Sequence, residues 1–341
     1  MRVTVIVNQG GGAAGPDGEA VVEQVERAFR EHGVEADVRE VAPDGLTALF
    51  EEVAKGGADA IVAGGGDGTI SCAAGAAVRA GLTLGVLPLG TLNHFAKDAG
   101  IPTELDEAVA VIAAGHTVLV DVAEVNGRVF INNSSVGLYP MMVGEREAQQ
   151  QELGRGKRLA MLVASVRALR HYKRHLLTIR IAGREVPLLT PLLFIGNNRY
   201  ETNLLALGQR ARLDGGELCI YAVLARNPLH LFGLALRGLF GSLDQQRDFV
   251  SLDGIEMAEI ASSSATLAVS TDGETHRTET PLRYRIRPGA AAAGAAAGRR
   301  NGGTLKLRPA SMATKRSDAM PRRRFSASSR CRGSSIASNV S

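Results

Sequence analysis

The chain has 341 residues, 45% hydrophobic and 22% charged, a balance ordinary for globular proteins and a length that suggests two domains. Its net charge of +4 is uneven: residues 289–341 hold eleven Lys and Arg against one acid, Asp318, while residues 1–288 hold 28 basic and 34 acidic side chains, so net charge gives no ground for a nucleic-acid function. Cys72, Cys219 and Cys331 lie too far apart for a disulfide framework or a structural zinc site, and no apolar run approaches the ~18 residues of a membrane span.

The first 125 residues alternate strand and helix signals, as parallel α/β folds do. The opening apolar run, 3–7, is a strand too short for a secretory signal, which makes the cytoplasm the expected compartment. A helix is expected over 18–32, with Val21, Val22, Val25, Ala28 and Phe29 at helical spacing, then a strand over 34–41 and a helix over 46–55. A strand over 58–63, a helix over 70–80, a strand over 82–87 and short helices over 91–98 and 103–114 complete this part.

Between the strand at 58–63 and its helix lies the run Gly64, Gly65, Gly66, Asp67, Gly68, Thr69. Glycines let backbone approach a ligand without Cβ collisions, and successive N–H groups can converge on phosphate oxygens. Asp67 inside such a loop would repel a phosphate unless a cation stands between them, so the run suggests phosphate plus metal. The plainer alternative is a strand-to-helix turn with an acid near the helix start. A second loop, Pro88-Leu89-Gly90-Thr91-Leu92-Asn93, also joins a strand to a helix, and both loops fall at carboxyl ends of parallel strands, where open α/β sheets bind ligands.

From about residue 117 the pattern turns to strands. Runs at 118–125 and 129–132 flank Asn126-Gly127, a type I′ hairpin signal, and further strands are expected over 176–181, 188–196, 217–224, 254–260, 266–270 and 284–287. Helices are expected over 156–174, basic and amphipathic enough to lie on an anionic membrane or simply to present a solvated face, and over 228–240, apolar nearly all round. The expected organisation is an α/β nucleotide domain over 1–125, a β-rich sandwich domain over 126–288, and a low-complexity basic tail over 289–341 that reads as disordered.

With both loops in view, residues 1 to about 288 resemble the diacylglycerol kinase catalytic-domain family, in particular the soluble bacterial lipid kinases related to sphingosine kinases. The resemblance rests on GGGDGT at 64–69, PLGTLNHFA at 88–96, DVAEVN at 121–126, LDGGEL at 213–218 and TDGE at 271–274, with Asn8 after the first strand. It implies an N-terminal α/β domain like that of NAD kinases joined to a β-sandwich, with ATP and a lipid alcohol meeting between them. It implies ATP contacts from Asn8, the Gly64–Thr69 loop, Thr91 and Asn93, and Mg²⁺ organised by Asp67, Asp98 and Asp121. Asp272, with Glu274 as helper or substitute, would accept the lipid hydroxyl's proton. Many relatives read LDDG where this chain has Gly215, so Asp214 is left as the one carboxylate of a second, structural Mg²⁺ site. The implied partners are the lipid substrate and a transient inner-membrane surface, with no nucleic acid; pairing into a homodimer through the second domain is common in the family.

Three other readings compete. Gly10, Gly12 and Gly15 satisfy a dinucleotide fingerprint with Glu40 on the second strand, but Pro16-Asp17 delays the helix past the third glycine. An NAD kinase shares the GGDGT loop but not the PLGTLN loop with so long a second domain. A nucleotide or lipid sensor needs no set of acids around a phosphate cleft. The seven histidines show no metal-ligand spacing.

Overall fold

The computed structural model describes residues 3–9, 18–137, 173–200, 210, 212–239 and 249–294, all within one compact unit. The glycine run at 10–15 and nearly all of the basic helix expected over 156–174 lie outside these residues.

The N-terminal part is the expected parallel α/β layer. It runs β1 (Val3–Asn8), α1 (Gly18–Glu31), β2 (Ala36–Val41), α2 (Leu46–Lys55), β3 (Ala60–Gly65), α3 (Asp67–Ala80) and β4 (Thr83–Pro88), with strand order β2-β1-β3-β4. Every residue of β3 is buried, which is why its sequence is continuously apolar rather than alternating. Helices close both faces. Phe29 of α1 and Phe50 of α2 are fully buried, each burial worth roughly 1.5–3 kcal/mol. Helix α3 turns Ala73, Ala74 and Ala77 to the core, small side chains that bring its axis close to the strands that aim it. Short helices α4 (His94–Ala99) and α5 (Leu105–Ala113) follow.

The chain then becomes antiparallel. β5 (Thr117–Val125) and β6 (Arg128–Phe130) form the expected hairpin, with Asn126 and Gly127 at φ +46° and +84°, the two positive angles a type I′ turn requires. Next come β7 (Asn133–Gly137), β8 (His175–Ile181), β9 (Arg184–Thr190), β10 (Leu192–Asn197), β11 (Leu218–Val223), α6 (Pro228–Leu239), β12 (Phe249–Ile255), β13 (Met257–Ser262), β14 (Thr266–Thr271), β15 (Glu274–Glu279) and β16 (Leu282–Gly294). One sheet has the order β12-β11-β10-β7-β14-β15; it packs on the antiparallel half of the other through Phe130, Val136, Ile179, Ile195, Ile220, Val269 and Tyr284. The second part is therefore a mostly β sandwich, as expected.

Four expectations are corrected. The strand read over 188–196 is two strands in different sheets, because Pro191 interrupts the run and the chain crosses from β9 to β10. β7 is a strand beyond the run expected to end at 132, unsignalled because its residues Asn133, Ser134 and Ser135 are polar yet half-buried or buried. β15, Glu-Thr-His-Arg-Thr-Glu, carries no apolar alternation because it is an edge strand. Most consequentially, the alanines after Pro288 do not begin a tail. They continue β16 to Gly294, antiparallel to β5 and parallel to β4, with Ala291 and Ala293 buried. The helical layer and the sandwich thus share one ten-stranded sheet, with β16 as its splice.

Candidate active site

The two glycine loops meet. A Cβ built on Gly90 would stand 2.4 Å from Gly66 Cα and 3.0 Å from Gly66 N, so the second loop lies against the first at a distance only glycine allows. Gly65 is equally constrained, with Thr69 Oγ1 2.6 Å from its would-be Cβ. The Asn8 amide donates to Thr69 Oγ1 at 2.8 Å, tying β1 to the start of α3. The N-cap of α3 is Gly66, which has no side chain to cap the first-turn N–H groups.

Asp67 faces away from that helix end. Its carboxylate accepts hydrogen bonds from the backbone N–H of His94 (3.0 Å) and Phe95 (2.9 Å), capping α4, and from the Asn132 amide at 3.1 Å. Asn93, in the left-handed region at φ +48°, braces its own loop: Nδ2 donates to Pro88 O and Gly90 O while Oδ1 accepts from Gly90 N. Both of its amide hydrogens are thereby engaged, so Asn93 shapes the loop rather than offering a donor to a ligand. Thr91 is exposed on the same loop.

Opposite the loops stands the β14–β15 turn. Asp272, at φ +48°, turns its carboxylate inward onto the backbone N–H groups of Ile131 (2.7 Å), Asn132 (2.8 Å) and Asn133 (3.0 Å), and onto the Ser71 hydroxyl. Burial pushes its carboxyl above the usual range, against the pull of Ser71 and those three N–H groups. A carboxylate offers about four acceptor positions, and here four donors occupy them. Glu274 is exposed, and its Oε1 lies 3.3 Å from a Cβ built on Gly68, over the first glycine loop; Arg128 Nη1 is 3.9 Å from its other oxygen.

Residues 2–125 match the family model described as the diacylglycerol kinase catalytic domain. Over that stretch, somewhat more than a third of the chain, the sequence is similar to that domain. A Citrobacter koseri protein named "Probable lipid kinase YegS-like" is 39% identical over 114 residues, 32% of this chain and 38% of that protein. A protein of the same name from Enterobacter sp. strain 638 is 35% identical over 38% of this chain and 45% of its own length. The chain thus spans less than half the length of these curated relatives. A crystal structure titled as a diacylglycerol kinase from Bacillus anthracis superposes with a TM-score of 0.63 at 20% identity, covering 87% of this chain and 97% of that one, which extends the likeness of fold over the sandwich.

The expected metal-binding acids are each engaged by donors of the protein. Asp98 pairs with Arg210 at 2.8 Å, both side chains buried. Asp121 accepts from Gly216 N (2.6 Å) and Gly289 N (2.7 Å), clamping the LDGG loop to β16. Asp214 is exposed and bonded to Arg212 at 3.0 Å. Among the described residues no three Asp, Glu, His or Cys side chains group to hold a metal. Each carboxylate of the expected ligand set, Asp67, Asp98, Asp121 and Asp214, already holds a protein donor. At Gly215, where many relatives have the second aspartate, Asn198 Oδ1 stands 2.6 Å from a built Cβ.

Sequence reading missed the polar centre of the site. Arg210 is buried, with Nε on Asp98, Nη1 on Ile131 O (2.6 Å) and Asn197 O (3.2 Å), and Nη2 on Asn132 Oδ1 (2.7 Å). Its guanidinium lies 5.6 Å from the Tyr200 ring centroid, and burial pushes that phenol up to about 12. The one signal in the sequence was Asn132-Asn133 directly after an apolar strand, polar residues where the strand should have continued.

Proposed function

We propose that this chain transfers the γ-phosphoryl group of ATP to the hydroxyl of a lipid alcohol such as diacylglycerol. The observation that carries the proposal is the pair of abutting glycine loops with the exposed carboxylate of Glu274 above Gly68. Phosphoryl transfer needs donors and charge placed around an in-line exchange more than covalent help. The uncapped first turn of α3 supplies N–H donors and the positive end of a 14-residue helix to the nucleotide's phosphates. Asp67 does not repel them, because its charge is directed into the N-terminus of α4. A magnesium ion arriving with ATP belongs to the co-substrate.

The geometry favours Glu274 over Asp272 as acceptor of the lipid hydroxyl's proton. Glu274 is solvent-accessible and overhangs the loop, whereas Asp272 already holds four donors and sets the turn that carries Glu274. The names of the relatives, probable lipid kinases, support a lipid acceptor. Among the described residues no helix is long and apolar enough to cross a membrane.

The test incubates the full chain with γ-labelled ATP, Mg²⁺ and mixed micelles of lipid alcohols, with NAD⁺ offered separately. Label in the organic phase, abolished by Glu274→Gln at an unchanged thermal midpoint, is the expected result. Label on NAD⁺ replaces the lipid reading by a nucleotide kinase, and ATP binding without transfer replaces it by a sensor.

A further inference from the structure

A closed circuit of hydrogen bonds runs through the site. Asp67, in the first glycine loop, caps the N-terminus of α4. Asp98, in the last turn of the same helix, pairs with Arg210. Arg210 donates to Asn132 Oδ1, and Asn132 Nδ2 donates back to Asp67 at 3.1 Å. The backbone N–H of that same Asn132, with those of its two neighbours, holds Asp272. The circuit therefore links the loop that faces the phosphates to the turn that carries Glu274.

Arg210 decides how Asn132 is oriented. Guanidinium can only donate, so the amide must present Oδ1 to Arg210, which leaves Nδ2 aimed at Asp67. A second pair of bonds fixes the backbone alongside, since Nη1 grips Ile131 O and Asn197 O. The fork thus fastens both the side chain and the main chain of the 131–132 segment. A lysine, with one ammonium and no fork, can keep Asp98 company but cannot hold these partners at their angles.

We infer that Arg210 is a positioning residue for phosphoryl transfer, acting through Asn132 to set the spacing between the glycine loop and the Glu274 turn. The inference rests on the kinase reading above and deepens it. Arg210 touches no reacting group: it is buried beneath the turn, and its partners are protein atoms.

Two variants of the full chain test it. Asn132→Asp keeps an acceptor for Arg210 but replaces the donor toward Asp67 by a second carboxylate. Arg210→Lys retains the charge beside Asp98 and removes the fork. Each is expected to lower kcat about 100-fold, the order that a misplacement of ~1 Å produces, with KM for ATP changed no more than about threefold and the protein folded at assay temperature. A kcat within about threefold of wild type in folded Asn132→Asp overturns the inference, as does a loss confined to thermal midpoint or KM. A readout that does not depend on turnover accompanies these: amide hydrogen exchange at His94, Phe95 and residues 131–133 is expected to quicken together in Arg210→Lys, with Phe50 and its helix unchanged. Unaltered exchange at those sites overturns the inference whether or not the protein is active. Wild-type protein that labels no lipid overturns the kinase reading instead, and the exchange result still decides the role of Arg210 in holding the loop and turn together.

Discussion

Gly90→Ala isolates the contact on which the two-loop site depends. Gly90 is outside the left-handed region, so alanine can adopt its backbone angles and only the added methyl is tested. That methyl would stand 2.4 Å from Gly66 Cα, 2.8 Å from Asn93 Oδ1 and 3.0 Å from Gly66 N. Non-bonded carbons settle at about 3.5–4.0 Å, so the loops must part by roughly 1 Å. No flexible side chain can absorb the move, since the nearest atoms are backbone. The parting also strains the bonds from Asn93 Nδ2 to Gly90 O and from Gly90 N to Asn93 Oδ1. Overpacking of this kind costs about 1–3 kcal/mol. A 2 kcal/mol loss lowers the thermal midpoint by roughly 3 °C in a protein of this size. A displacement of ~1 Å between reacting groups lowers kcat/KM about 100-fold. The assays are thermal unfolding and label transfer, with Gly66→Ala as the stability control, because a Cβ there meets Gly90 Cα at an ordinary 3.7 Å and Gly66 sits at φ −85°. A Gly90→Ala protein as stable as Gly66→Ala and as active as wild type would refute the argument that the loops touch.

Two further outcomes follow from buried groups away from the loops. Asp121→Asn turns an amide N–H₂ toward Gly216 N or Gly289 N, leaving one buried donor unpaired; the urea midpoint is expected to fall by the equivalent of about 2 kcal/mol with the slope unchanged. His175 and His276 are both held below the ordinary 6.5, mainly by burial and secondarily by Lys173 and Arg128 respectively. The unfolded chain therefore binds more protons than the native state just below pH 6.5, and stability is full above that value and lost as pH falls through it. Thermal midpoints taken across this window are expected to decline on acidification, and a smaller decline in His276→Asn checks the assignment.

The N-terminal layer was legible in the chain because its signals are local. Strands buried on both faces read as unbroken apolar runs, helices show their spacing, and the Gly64–Thr69 loop falls where β3 hands over to α3. The sandwich was legible as a class but not strand by strand: β15 is a polar edge, β7 is buried polar, and Pro191 separates two strands that look like one run. The alanines of β16 were misread because low complexity describes composition, whereas the place between β4 and β5 that this strand fills exists only once the sheet has formed. The same holds for the acids. The family resemblance marked Asp67, Asp98, Asp121, Asp272 and Glu274 together, but a carboxylate's role is set by the donors the fold brings to it. Tertiary structure alone directs Asp67 to α4, Asp98 to Arg210, Asp121 to two loop amides and Asp272 to the 131–133 backbone, leaving Glu274 above the glycines. Arg210, far from these residues in sequence and without a motif of its own, becomes their common support only because the folded chain buries it among them.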